Sequence, residues 1–113
     1  MLRRTPRPRL RSQAPVFAAL GDPTRLALIA RLSRGESCSI AMLTEGTELT
    51  RQAVTKHLRV LERAGVVRCT RQGRESLFVF DPAPLQHARC HLDALSEQWD
   101  RTLERLKIFV EDQ

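Results

Sequence analysis

The clearest pattern of hydrophobic and polar positions lies in residues 49–67. The apolar positions there recur at the three- and four-residue spacing that lines one face of a helix. These positions are Val54, Leu58 and Leu61. Thr50 has a hydroxyl that suits a helix N-cap, and Gly65 favours termination of the helix. The pattern therefore predicts one amphipathic helix over most of this stretch.

Three shorter helices are predicted upstream. The first spans residues 14–20 and ends at Gly21. The second is capped by Asp22 and runs to about Arg34. The apolar positions that we expect it to bury are Leu26, Ile29 and Leu32. The third follows Ser37 or Ser39, so that it and the helix in residues 49–67 form a helix-turn-helix, whose second helix is the recognition helix.

Two segments after Gly65 have the composition and alternation of strands. They cover residues 66–71 and 75–80, and Gln72-Gly73-Arg74 between them predicts a hairpin turn. The side chains expected to face the core are Val67, Cys69, Phe78 and Phe80. A basic hairpin next to a recognition helix is interpreted as a wing, with an ordinary exposed hairpin as the alternative.

The last predicted helix, residues 83–110, carries an apolar position at every seventh residue. These positions are Leu85, Leu92, Trp99 and Leu106, with Ala88, Leu95 and Phe109 in a neighbouring row. A sustained repeat of this kind calls for a partner helix, because a small domain cannot cover a helix of about 40 Å by itself. We therefore predict a homodimer through the terminal helices, with packing against the chain's own body as the alternative. The predicted interface residues are Phe17, Leu85, Leu92, Leu95, Trp99 and Leu106.

These elements predict a mainly α fold with a two-stranded β wing, a winged helix-turn-helix with the order of four helices, two strands and one helix. Residues 13–113 form this domain. Residues 1–12 hold five arginines and two prolines, and we interpret them as a disordered arm. The arm is either a solvated tail or a segment that lies along a minor groove or phosphate backbone.

The charge balance favours a polyanionic partner. The chain has 19 basic and 13 acidic residues, a net charge of +6, and all but two of the basic residues are arginines. Nucleic acid is the first candidate and a membrane surface the weaker one. The sequence has no apolar run long enough for a spanning helix and no apolar segment of a secretory signal. Three widely separated cysteines predict no disulfide framework, which favours a cytoplasmic location.

The outward face of the fourth helix carries most of the candidate chemistry. Its members are Arg51, Gln52, Thr55, Lys56, Arg59 and Arg63, and Arg71 and Arg74 lie at the wing tip. Arginine, lysine and glutamine suit phosphate oxygens and base edges, although any soluble helix has a charged outer face. We expect removal of Arg59 or Arg74 to weaken binding to every sequence, and removal of Gln52 or Lys56 to relax sequence choice. RNA is less suited, because its major groove is narrow and deep.

Three segments together resemble the ArsR/SmtB family of winged-helix bacterial repressors. They read FAALGDPTRLALIARL, LTRQAVTKHLRVLERAGVV and RQGRESLFVFDP, in this order. The likeness covers residues 16–109. It implies a dimer that binds operator DNA, represses transcription and is released by a small-molecule inducer, with double-stranded DNA and a second copy of the chain as partners.

The resemblance also implies a set of DNA-binding residues. By likeness, Thr50, Gln52, Ala53, Thr55, Lys56 and His57 lie on the reading surface, and Arg71 and Arg74 match the wing. The complete predicted set is Thr50, Arg51, Gln52, Ala53, Thr55, Lys56, His57, Arg59, Arg71 and Arg74. His57 lies at the edge of the apolar stripe, so a structural or phosphate-contacting role is favoured there over base contact.

Metal and thiol sensing are alternatives for the same repressor. Metal-sensing members carry Cys-x-Cys at the start of the third helix, whereas this chain has Cys38 followed by Ile40. His87, Cys90 and His91 share one helical face but lack a fourth ligand, so we predict no metal and no cofactor. Cys38 and Cys90 could form a thiol sensor. A small thiol or metal enzyme or carrier around Cys90 and His91 is the remote alternative. It lacks a complete catalytic constellation and a pocket, and we predict no enzyme.

Overall fold

The computed structural model describes residues 10–112, with side chains described from Gln13 onward. The helices are α1 (Leu10–Leu20), α2 (Pro23–Leu32), α3 (Ile40–Thr44), α4 (Arg51–Arg63) and α5 (Ala83–Glu111). The strands are β1 (Cys38–Ser39), β2 (Val67–Gln72) and β3 (Glu75–Phe80). The predicted winged helix-turn-helix is confirmed, with one additional short strand. The predicted arm, residues 1–12, lies outside the described residues except at its end, where α1 begins.

Two capped helices form the helix-turn-helix. The backbone N–H of Met42 donates to Ser39 Oγ at 3.1 Å, so Ser39 caps α3. The N–H of Ala53 donates to Thr50 Oγ1 at 3.0 Å, which satisfies a free donor in the first turn of α4. Gly65 has a φ of +80°, a backbone conformation that favours glycine, and it follows the end of α4. The boundaries of the recognition helix therefore follow from local side-chain chemistry.

The sheet is antiparallel and has the strand order β1-β3-β2. Gln72 pairs with Glu75, so the wing turn is the two-residue Gly73-Arg74, and Gly73 adopts a φ of +62°. Cys38 pairs with Phe78. This short pairing was not predicted, because two residues are too few to show alternation. It attaches the beginning of α3 to the wing and so fixes the wing against the helix-turn-helix.

The core lies where α1, α2, α3 and α4 meet the sheet and the beginning of α5. The predicted stripe of α4 is confirmed, since Val54, Leu58 and Leu61 are fully buried. Phe78 is the largest fully buried side chain and comes from the central strand. The other buried apolar residues are Val16, Ala19, Leu28, Ile29, Leu32, Cys38, Leu43, Val66, Val67 and Ala88. The recognition helix is thus anchored along its whole inner face.

Two sequence predictions about the first helices need correction. Leu26 was expected in the core, but it is 50% exposed and Leu28 is buried instead. The buried face of α2 is formed by positions 28, 29 and 32, which leaves position 26 at its side. Helix α1 begins at Leu10 rather than at residue 14. Pro15 lies inside this helix, where it removes one backbone N–H donor without ending the helix.

Helix α5 leaves the domain body after its first turns. Ala88 is its buried residue, and Leu85 packs partly against the core together with Phe17 of α1. From Leu92 onward the apolar repeat is exposed, with Trp99 at 61%. Packing against the chain's own body, the alternative considered for this helix, therefore accounts for the beginning of α5 only.

The cap of α2 predicts a pH dependence of stability. The backbone N–H of Arg25 donates to Asp22 Oδ2 at 3.0 Å, and this hydrogen bond, aided by the nearby positive charge of Arg25, lowers the pKa of Asp22 below its ordinary value of 3.8. A carboxylate whose pKa is lower in the folded chain stabilises it above the unfolded pKa, and the effect is lost as the pH falls through the folded pKa. We expect Asp22→Asn, which keeps a capping oxygen, to lower the melting temperature at pH 6.

The same substitution is expected to have less effect in acid. As the pH falls below 3.8 and through the lowered pKa of Asp22, the wild-type carboxylate gains its proton, and the two melting temperatures converge. Thermal melts followed by circular dichroism at several pH values measure this difference. A gap that stays constant as the pH falls from 6 through this acidic range would show that the charge of Asp22 does not stabilise the cap.

Candidate nucleic-acid interface

The outer face of α4 presents a continuous polar surface. Arg51, Gln52, Thr55 and Lys56 line one shallow, open groove along the first half of the helix. Three of them are exposed. Thr55 is half-buried, and its hydroxyl donates to the carbonyl of Arg51 at 2.7 Å. The surface therefore offers two cations and a side-chain amide from successive turns. We name these four residues the recognition groove.

A cleft joins the recognition groove to the wing. It has a volume of about 210 Å³, and its lining residues are Ser39, Ile40, Ala41, Arg51, Arg74, Glu75 and Ser76. Arg51 comes from the first turn of α4 and Arg74 from the hairpin turn, so the fold brings two predicted DNA-binding arginines to one opening. Glu75 offsets part of their charge. Arg71 lies exposed on β2 near the same tip.

Arg59, also predicted to bind DNA, lies away from this groove. Its Nη1 donates to Glu62 Oε1 at 2.7 Å, and its guanidinium lies over the ring of Phe78, 5.8 Å from the centroid. The hydrogen bond with Glu62 raises the pKa of Arg59 further above its ordinary value. These contacts connect the middle of α4 to the central strand. The sequence shows the Arg59–Glu62 spacing but not the contact with Phe78.

His57 points to the other side of α4, towards the junction with α1 and α2. Arg25 Nη1 donates to His57 Nδ1 at 3.2 Å, and Asp22 Oδ2 lies 3.8 Å from the same nitrogen. His57 is half-buried and does not line the recognition groove. Thr50 and Ala53 lie at the N-terminus of α4, where the Thr50 hydroxyl caps the helix by accepting from the backbone N–H of Ala53. The predicted set thus divides into a groove, a wing tip and supporting positions.

The comparisons with known proteins agree with this geometry. A helix-turn-helix domain family matches residues 20–70. The chain is 37% identical over 78 residues to the uncharacterized HTH-type transcriptional regulator YuzN of Bacillus subtilis, covering 64% of this chain and 85% of that protein. It is 32% identical to the HTH-type transcriptional repressor SmtB of Mycobacterium tuberculosis, covering 73% of this chain and 60% of that protein.

A solved structure covers nearly the whole chain. The ArsR-like transcriptional regulator from Rhodococcus sp. RHA1 superimposes with a TM-score of 0.84 at 33% identity, covering 91% of this chain and 94% of that one. The chain belongs to the ArsR/SmtB family. It is a winged helix-turn-helix transcriptional regulator that binds DNA, and this family consists of regulators rather than enzymes.

The cysteines of this ArsR/SmtB protein occupy three different environments. Cys38 is fully buried beside Phe78 in the core, Cys69 is partly buried, and Cys90 is exposed on α5; all three are free thiols. Across residues 13–112, no three His, Cys, Asp or Glu side chains are grouped so that they could hold a metal ion. The environment of Cys38 is that of a small apolar core residue, and no observation favours the thiol- or metal-responsive alternatives.

No helix within the described part of this ArsR/SmtB chain has both the length and the apolar character to cross a membrane.

Proposed function

We propose that this ArsR/SmtB-family regulator is a cytoplasmic repressor that binds an inverted-repeat operator as a homodimer. The observation that carries the proposal is the recognition groove, which is exposed on a helix whose opposite face is fully buried. A helix held rigidly in this way can enter a major groove with its N-terminal residues against the base edges. Bound at a promoter, the dimer excludes polymerase, and an unidentified small-molecule inducer releases it.

The proposed contacts follow the division of the site. Gln52 and Lys56 lie on successive turns of the outer face and contact base edges, since glutamine and lysine form specific hydrogen bonds with adenine and guanine. Arg51, Arg74 and Arg71 contact phosphates, because the cleft and the wing tip flank the groove. Thr50, Ala53 and Thr55 complete the surface against the backbone of the duplex. His57 and Arg59 support the helix through their contacts with Arg25, Glu62 and Phe78.

The exposed apolar stripe of α5 supports the proposal that the chain pairs with a second copy of itself. The stripe repeats every seven residues over the part of α5 that leaves the domain body, and Leu92, Leu95, Trp99 and Leu106 are each at least 44% exposed. Phe17 and Leu85 lie at the beginning of this stripe, where α1 packs on α5. A helix with such a stripe stabilises itself by pairing with another copy about a two-fold axis. Pairing places two recognition helices about one helical turn of DNA apart.

Selection of DNA from a random pool tests the proposal. Full-length protein is used to select 30-base-pair duplexes from a random-sequence library. Its affinity for the selected duplexes is then compared with its affinity for shuffled versions of the same sequences. We expect an inverted repeat, bound at least about 1,000-fold more tightly than shuffled DNA at physiological salt. Equal affinity for the selected and shuffled duplexes would show that the protein is not a sequence-specific repressor.

The cleft arginines are expected to act on every sequence. Arg51→Ala and Arg74→Ala should each weaken binding to selected and shuffled DNA about equally, and each should lower the slope of log affinity against log salt by about one. Fluorescence anisotropy over a salt series measures both quantities. Arg68→Ala is the control, because Arg68 lies at the base of the wing and pairs with Asp81 at 3.2 Å. A loss confined to the selected sequence would assign base contacts to these arginines instead.

A further inference from the structure

A single side chain on α2 contacts the two helices on either side of it. Arg25 Nε donates to the carbonyl of Ala19 at 2.7 Å, and Arg25 Nη2 donates to the carbonyl of Ala18 at 3.3 Å. Both carbonyls belong to the last turn of α1, where helical carbonyls lack partners within the helix. The remaining nitrogen, Nη1, donates to His57 Nδ1 on α4 at 3.2 Å. All three guanidinium nitrogens of Arg25 are therefore used, and they connect α1 to α4.

The bridge is itself held in place. Arg25 lies in the first turn of α2, and its backbone N–H donates to the capping carboxylate of Asp22. The same carboxylate lies 3.8 Å from His57 Nδ1. Arg25 and His57 are both half-buried, which limits competition from water. A planar fork with several donors suits such a bridge, whereas the single ammonium of lysine does not.

The location of the bridge relates it to DNA recognition. His57 follows Lys56 directly in α4, so it holds the same turn of the helix from the inner side. At the other end, α1 packs against α5, the helix proposed to pair with a second copy. The bridge therefore joins α1, which packs on α5, to the turn of α4 that carries Lys56 of the recognition groove.

We propose that Arg25 is a positioning residue for DNA recognition, which fixes the separation of the two recognition helices in the dimer by tying His57 of α4 to the end of α1. This inference rests on the proposed function, because separation matters only when a dimer contacts two half-sites. Arg25 does not line the recognition groove, so it orients α4 and does not contact a base. Without it, α4 keeps its buried stripe but gains freedom to rotate at its N-terminal half.

Spacing selectivity tests this role, because a general loss of stability does not alter it. The probes are the inverted repeat selected by the wild-type protein and two versions with one base pair inserted or deleted between the half-sites. We expect wild type to discriminate strongly against both altered spacings. Arg25→Gln should bind the selected spacing about tenfold more weakly and discriminate among spacings far less. Its affinity for shuffled DNA should stay unchanged.

Two further variants distinguish the effect of the Arg25 hydrogen bonds from the effect of its positive charge. Arg31→Gln is the matched control: it removes one positive charge from the same helix, but Arg31 Nη1 donates to the carbonyl of Met42 on α3 at 3.3 Å, rather than to a side chain of α4. We expect it to behave as wild type. Arg25→Lys keeps the charge without the fork and should share the defect of Arg25→Gln. Full rescue by lysine would overturn the bridging role.

Other outcomes are equally decisive. If folded Arg25→Gln discriminates among spacings as wild type does, or loses affinity equally on shuffled DNA, Arg25 is not a positioning residue. If Arg25→Gln fails to fold by circular dichroism, His57→Ala is measured instead, since it removes the acceptor and leaves the α1 carbonyls capped. Retained spacing selectivity in His57→Ala would then reject the inference. Failure of wild type to prefer an inverted repeat would reject the proposed function itself.

Discussion

Trp99→Asp is expected to make the protein monomeric and to weaken operator binding by at least about a hundredfold. Trp99 is 61% exposed in the single chain and lies in the middle of the α5 stripe. A central aromatic residue at an interface contributes about 2 kcal/mol or more, and a two-fold dimer loses two of them. Burying two introduced carboxylates in an apolar interface would also disfavour pairing. A monomer bound to one half-site has much lower affinity than a dimer that binds two half-sites at once.

Sedimentation velocity and anisotropy on the selected duplex measure the two effects. Ile108→Asp is the matched control, because Ile108 is 51% exposed on the same helix. It lies nine residues from Trp99, and at about 100° per residue this places it on the opposite side of α5. We expect Ile108→Asp to remain dimeric and to bind as wild type does. A dimeric Trp99→Asp protein would show that the chains pair through another surface.

Gln52→Ala and Lys56→Ala are expected to relax sequence choice. Each side chain is exposed in the recognition groove, and a good contact with a base edge discriminates by about 1–3 kcal/mol, or roughly 5- to 150-fold. The loss should appear as tolerance of other bases at one symmetric pair of positions, while affinity for shuffled DNA changes little. Parallel selection from the random library with each variant identifies these positions.

Arg63→Ala is the control for the loss of charge in Lys56→Ala. Arg63 is exposed on the same side of α4 but lies seven residues further along, or about 10 Å at 1.5 Å per residue. Recognition helices contact bases with their N-terminal residues, so we expect its selected sequence to equal that of wild type. If Gln52→Ala and Lys56→Ala select the wild-type sequence as well, the base contacts lie elsewhere.

The parts of the fold that the sequence predicted are those governed by local chemistry. Thr50 and Asp22 cap helices with their own side chains, and Gly65 and Gly73 adopt the positive φ angles that their positions in the pattern suggested. The stripe of α4 follows from helical periodicity alone. Each of these signals lies within a few residues of the feature that it determines. The amino-acid sequence alone is therefore enough to predict that feature.

The features that escaped prediction depend on contacts distant in the sequence. The strand β1 exists because Cys38 pairs with Phe78, and two residues carry no pattern of their own. Arg59 lies over Phe78, and Arg25 donates to His57. Each of these contacts joins two elements whose proximity cannot be predicted from their order in the chain. In α2, the choice between burying Leu26 and Leu28 depends on how the neighbouring helices cross it.

The candidate site shows the same division. The residues of the recognition groove were predicted from the polar face of a single helix. Their connection to the wing was not, because the cleft that joins Arg51 to Arg74 forms only when the hairpin folds back beside α4. His57 was included in the predicted DNA-binding set by the resemblance to the family, and Arg59 on its charge and its place on the outer face of the helix. The structure assigns them contacts within the protein, and their contribution to DNA binding stays a prediction.

Methylation interference on the selected duplex tests the central claim most directly, because guanine N7 lies in the major groove. The account predicts two clusters of interfering guanines, related by the symmetry of the repeat and about 10 base pairs apart, with one recognition helix at each. A single cluster, or binding that tolerates methylation at every major-groove guanine, would contradict the proposed dimer with two recognition helices in adjacent major grooves.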